Sequence, residues 1–286
     1  MLFLELIAQG LVQGSIYALI ALGLTLVYGL LRILHVAHAA LFTLGGYVGV
    51  LVTNATGSLP LAMVLAMLAA GVVGVAMYRL CYEPILKQPP FVALIASIGL
   101  YIAFEELFRI VFGAAGLSYV APPLQQQIAL FGLNFKQAEL MMMAGTVVVI
   151  AVLGVLQTKT RIGVACQATV SDPQMAESFG IRLRTVRDLN FFVGSALAGF
   201  AGVWVALLNN LVEPTMGSVP SYKGLAIIVL GGMGSVRGTL LAALVLGVVE
   251  SFGTIYLGQF LDRNAIAFAF LILVLMFRPQ GLFAKS

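Results

Sequence analysis

Few residues in this chain have the type and spacing to do chemistry, and most of those fail on inspection. The run Gly231-Gly-Met-Gly-Ser-Val-Arg-Gly238 is rich enough in glycine to suggest a phosphate cradle. A Walker loop needs G-x-x-x-x-G-K-[ST], and no Lys-Ser or Lys-Thr follows a glycine here. The dinucleotide fingerprint fails as well, because Gly232 and Gly234 are followed by Gly238, one residue too late. His35 and His38 are the only histidines. A metal site needs further ligands, and the nearest carboxylates in sequence are Glu5 and Glu83. The pair therefore reads as interfacial hydrogen bonding, with no metal site, although a polar group at membrane depth keeps His38 a candidate for a pathway. Cys81 and Cys166 stand alone and read as small apolar side chains. Glu105 and Glu106 precede Arg109 by four and three residues, the spacing of helical ion pairs, and read as an interfacial cluster. No Ser-His-Asp set or carboxylate dyad is present, so the chain offers no catalytic residues.

The composition says where such residues must sit. Of 286 residues, 61% are hydrophobic and 9% charged. A soluble domain has about 45–50% apolar and about 25% charged residues. Twenty-six charges cannot cover a water-facing surface, which excludes a soluble enzyme or a nucleic-acid binder and leaves a protein of the lipid bilayer. The net charge of +4 then reflects basic loops, not affinity for nucleic acid.

A membrane span takes about 20 apolar residues, at 1.5 Å per residue across about 30 Å. Leu6–Leu31 and Ile33–Tyr78 contain no Asp, Glu, Lys or Arg; the second is long enough for two spans, broken at Asn54–Pro60. Further spans are expected at Gln88–Phe112, Leu140–Gln157 and Leu189–Val212, and a short one at Asn264–Phe277. The first apolar segment is too long for a signal h-region and is expected to stay. Tyr222–Leu257 is interrupted by the glycine run, so its helix must be discontinuous. The expected fold is an all-α polytopic membrane protein of about eight hydrophobic helical elements, one of them discontinuous, forming one transmembrane domain over residues 1–286.

The break matters because backbone groups freed in a bilayer need protein or water around them. Gly231, Gly232, Gly234 and Ser235 therefore either border a translocation pathway or form a packed re-entrant turn. The spans also carry small residues four apart: Gly10, Gly14, Ala18; Gly194, Ala198, Gly202; and Ala243, Gly247, Ser251. Such rows allow close helix packing. Glu105, Glu106 and Glu250 are the carboxylates nearest to intramembrane positions, too few for a proton- or sodium-coupled carrier.

Five of fifteen basic residues (Lys159, Arg161, Arg182, Arg184, Arg187) lie in one linker, residues 158–188. Arg79 and Lys87 fall on the same side by span parity, which the positive-inside rule makes cytoplasmic; the rule puts Arg278 and Lys285 there too, which requires the broken segment to return to the outer face. Within the linker, Ser171 or Asp172 can cap a helix, Pro173 suits its first position and Gly180 its stop. A helix of about two turns is expected there, and a short capped helix with a basic skirt suits docking.

Taken in order, these segments resemble the permease subunits of branched-chain amino acid ABC importers, of the LivH type. The landmarks are Gly14–Gly29, Arg32-Ile-Leu-His-Val-Ala-His38, Asp172–Ile181, Gly194–Gly202, Val229–Gly238 and Arg278-Pro-Gln-Gly-Leu282. Gln174, Met175 and Ala176 fill the EAA places, and Gly180 the glycine, of the importers' EAA-x-x-x-G coupling motif. Where the family reads Asn-Phe-Ala-His-Gly, this chain reads His35-Val-Ala-His38-Ala39, so the resemblance gives His35 no role. The resemblance implies a bacterial inner-membrane location. It also implies a second related permease, two cytoplasmic ATPase subunits that bind ATP and Mg, and an extracytoplasmic substrate-binding protein. The cargo would be branched-chain amino acids, or in an alternative reading urea, other amides or other amino acids. No cofactor is expected in this chain.

Overall fold

The computed structural model describes residues 2–130, 133–278 and 281–282. Lys285, and Pro279 and Gln280 of the C-terminal landmark, lie outside the described residues. Among the described residues, seven helices are long and apolar enough to cross a membrane. They are α1 (Leu2–Leu31), α2 (His38–Thr56), α3 (Leu59–Met77, continued by a π turn and a 3-10 turn to Ile85), α4 (Pro90–Phe112), α5 (Gln137–Lys159), α8 (Leu183–Asn209) and α10 (Val236–Leu257). Two shorter apolar helices, α9 (Ser218–Gly231) and α11 (Arg263–Phe277), complete the bundle. With α9 and α10 taken as the broken element, these are the eight hydrophobic elements that the hydropathy pattern requires.

The linker and one loop hold more structure than expected. Residues 158–188 carry two helices, α6 (Arg161–Ser171) and α7 (Pro173–Ser178), where one was expected. Thr160 caps α6 by accepting a hydrogen bond from the Gly163 N–H at 3.1 Å. Between α4 and α5, strands β1 (Gln127–Leu130) and β2 (Leu133–Lys136) pair antiparallel, with Ile128 opposite Phe135.

The small-residue rows decide which helices touch. Those of α1 and α10 mate with each other. A Cβ built at Gly10 would stand 2.6 Å from the Cα of Val248, and one at Gly14 2.9 Å from the Cα of Leu244. Gly247 lies against the backbone of both glycines. α1 and α10 therefore run antiparallel with backbones in contact, as small residues at four-residue spacing permit. The row on α8 is shared out: Gly194 meets Gly23 of α1 and Gly202 meets Phe42 and Gly46 of α2, while Gly199, next to the row, meets Ala66 and Ala70 of α3. Ala198 is fully buried between them. The row packs within this chain.

α4 and α5 are outer helices. They leave Ile95, Ile102, Ile110, Val147, Val148 and Val155 uncovered, a surface suited to lipid or to another membrane subunit. On the face that holds the basic linker, Arg79 pairs with Asp188 at 2.6 Å and Arg184 with Glu83 at 2.9 Å, joining the end of α3 to the start of α8. At the other end of α4, Arg109 pairs with Glu105 at 3.1 Å and with Glu106, the helical ion pairs that the spacing indicated.

Candidate functional site

The linker helix is built as its sequence directs. Oδ1 of Asp172 accepts the N–H groups of Gln174 and Met175, each at 3.0 Å, and Pro173 takes the first helical position, where its missing N–H costs nothing. At the other end Gly180 adopts φ 83°, a left-handed conformation open to glycine without strain. The N–H of Gly180 reaches Glu177 O at 2.9 Å and that of Ile181 reaches Ala176 O at 3.1 Å, a Schellman stop. Ala176 is the buried anchor of α7, while Gln174, Met175 and Phe179 are exposed. A six-residue helix locked at both ends thus presents a methionine and a phenylalanine to its surroundings.

The glycine break is a hairpin between α9 and α10. Gly232 and Gly234 have φ 90° and 86°, and Ser235 caps α10, its Oγ accepting the Gly238 N–H at 3.2 Å. Gly231 and Gly238 bring their backbones together. Gly224 packs on Ile20 and Leu24 in the middle of α1, and Gly234 approaches Gly29 near its end. So α9 starts at mid-depth, descends to the basic face and turns, and α10 rises antiparallel to α1. Gly234 borders a cavity of about 300 Å³ whose wall includes Thr25, Cys166, Ser171 and Asn190. The break and the linker, far apart in sequence, share this cavity. Burial pushes the Cys166 thiol up, which leaves it a poor nucleophile at neutral pH.

His38 is elsewhere. It opens α2 at the depth of Gly23, fully buried, and a Cβ at Gly23 would stand 2.9 Å from its ring. The segment Arg32–Ala37 therefore turns back into the protein before α2 begins. His35 lies in that segment, with Nδ1 2.8 Å from the Tyr82 hydroxyl and its ring edge-on to Phe191. Among the described residues no three His, Cys, Asp or Glu side chains gather into a metal-binding group.

One site escaped the sequence reading. On the side away from the basic linker, a cavity of about 670 Å³ opens between α1, α5, α8, α9 and α11. Against it lies a buried charge network. Glu250 of α10 pairs through Oε1 with Lys223 of α9 at 2.8 Å and through Oε2 with Arg263 of α11 at 3.0 Å. The Tyr17 hydroxyl donates to Oε2 at 2.6 Å and accepts from Lys223 Nζ at 2.9 Å. The signal was present: Lys223 is the only charge in α9, and Glu250 stands alone in its apolar stretch, thirteen residues after Arg237 and twelve before Asp262. Opposite charges in apolar helices pair or mark a pathway.

These helices, their exposed apolar flanks and the two charged faces define a multi-pass membrane protein of the permease type. Residues 6–277 match the family described as branched-chain amino acid transport system, permease component, and the chain belongs to that family. Its relatives include the high-affinity branched-chain amino acid transport system permease proteins BraD of Pseudomonas aeruginosa (31% identical) and LivH of Salmonella typhimurium (30% identical). In both cases 99% of this chain aligns with 96% of the relative. LivM of Escherichia coli, a permease protein of the same description, is 26% identical over 93% of this chain and 67% of its own length. Among solved structures, PsaBC from Streptococcus pneumoniae in complex with Fab shares the fold, with TM-score 0.51 at 11% identity over 95% of this chain and 91% of that one.

Proposed function

We propose that this chain is the transmembrane permease subunit of an ATP-driven importer of branched-chain, hydrophobic amino acids in a bacterial inner membrane. The observation that carries this reading is α7. It is an exposed helix, capped by Asp172 and stopped at Gly180, in the most basic linker of the chain, directly following α6, whose residues line the cavity that the glycine hairpin borders. Such an element suits docking into a groove of an ATPase subunit, with Gln174 and Met175 on the contact surface and Ala176 holding the helix to its own chain. Two ATPase subunits would bind ATP and Mg. Their closure would push the linker, and through the shared cavity the Gly231–Ser235 hairpin, switching access between the two faces. A second, related permease would complete the membrane part, and an external binding protein would deliver the amino acid.

The test is reconstitution. The chain is co-expressed with a related permease and the two ATPases, placed in proteoliposomes, and supplied with the binding protein and ATP. Labelled leucine should accumulate, and urea should not. Accumulation of urea without leucine, or leucine uptake that continues without ATP, would reject the reading.

A further inference from the structure

The geometry points to a transient binding site for one α-amino acid zwitterion in the cavity above Lys223, with the carboxylate on Lys223 and Arg263 and the ammonium beside Glu213. This deepens the importer reading and rests on it.

The floor of the cavity is cationic. Lys223 and Arg263 contribute two positive charges and Glu250 one negative, so a net positive charge faces the cavity. Glu250 faces Tyr17, Lys223 and Arg263, and the two cations keep donors in reserve. Arg263 uses only Nε on Glu250, which leaves its terminal guanidinium nitrogens free. Lys223 spends two of its three hydrogens, on Tyr17 and Glu250. Gln13 adds an amide to the same wall. These unspent donors suit a carboxylate, and charge-assisted hydrogen bonds are the strong ones.

The rim carries the opposite sign. Glu213 lines the cavity, is exposed, and forms no ion pair among the described residues. Glu139 stands on the same rim, one oxygen accepting the Lys136 N–H at 2.9 Å, with the Lys136 side chain alongside. The wall also includes Val12, Ile16, Val205, Leu208 and Val219. A cationic floor, an anionic rim and an aliphatic wall match a carboxylate, an ammonium and an apolar side chain. Urea and simple amides have no charges to fill the two poles. At about 670 Å³ the cavity lies in the usual range for small-molecule sites, and is larger than one amino acid, so the ligand would stay partly hydrated and leave readily. A transport intermediate needs that weakness.

The experiment uses the assembled complex with Cys81 and Cys166 replaced by serine and Val219→Cys as reporter, since Val219 is exposed on the cavity wall. A membrane-impermeant thiol reagent labels the reporter. Leucine at about ten times its half-protecting concentration should slow labelling about tenfold. Leucinamide, which lacks the carboxylate, and 4-methylpentanoate, which lacks the ammonium, should not protect at that concentration. Lys223→Gln should abolish protection by leucine, and Glu213→Gln should make leucine and 4-methylpentanoate equivalent. Glu213 is exposed and forms no ion pair among the described residues, so its variant decides the matter if Lys223→Gln does not assemble. Failure of leucine to protect, or protection unchanged in Glu213→Gln, overturns the proposal even where the complex imports leucine. Leucine protection that depends on Glu213 in a complex that does not import leucine would keep the site and reject the importer reading.

Discussion

The ammonium of Lys223 lies 2.8 Å from Oε1 of Glu250, with the two side chains 4% and 0% exposed, so the hairpin of α9 and α10 closes on an ion pair inside the bundle. Desolvating two charges is costly, and Tyr17 and Arg263 offset part of that cost by both hydrogen-bonding Oε2 of the same carboxylate. Removing one partner is worse than removing both. Glu250→Gln should lower stability by about 3–5 kcal/mol, because Lys223 is left buried and uncompensated. Lys223→Met with Glu250→Met should recover most of that loss. Thermal melting of the detergent-purified protein checks both, and equal losses in the single and double variants would contradict the account.

The contact of α1 with α10 depends on absent side chains. Gly247→Ala places a Cβ against Gly10 and Gly14, and overpacking of this kind costs about 1–3 kcal/mol. Gly99, on the exposed side of α4, has nothing within 4 Å of a built Cβ. Gly99→Ala should be neutral or stabilising by about 0.5–1 kcal/mol through helix propensity. A common melting protocol applied to both variants should place their shifts on opposite sides of the wild type, or one at zero.

Gly180 has open space around it, and its demand is conformational. Gly180→Val forces a β-branched residue to φ 83°, a local strain of about 1–2 kcal/mol that should unwind the stop of α7. Membrane insertion and yield should persist while ATP-driven uptake falls. Gly180→Asn, which tolerates the left-handed region better, should retain more uptake than the valine variant.

Ser235 caps α10 at the hairpin. Ser235→Ala should cost about 1 kcal/mol of stability, and Ser235→Asp should restore it. Uptake measured at equal folded protein separates capping from a pathway role. If Asp restores stability and uptake together, Ser235 acts only as a cap; if stability returns and uptake does not, its hydroxyl faces the moving solute.

Much of this architecture is written locally. The lack of charge fixes the membrane as solvent, because 26 charged residues cannot hydrate a surface this apolar. The place of the helix break follows from four glycines in eight residues, and the ends of α7 follow from Asp172, Pro173 and Gly180. Each of these depends on a residue and its immediate neighbours, so the sequence suffices. The tertiary structure decided what depends on which segments meet. The row at Gly194 could have faced any helix, and folding set its two glycines against α1 and α2 of the same chain. His38 looked like an interfacial residue; because Arg32–Ala37 turns inward, it sits against Gly23 at mid-depth. The network of Tyr17, Lys223, Glu250 and Arg263 draws on four helices, and exists because the hairpin folds α10 back along α1. Hydropathy registers each of those charges as an isolated cost, whereas their energy depends on distances of about 3 Å that only the assembled bundle sets.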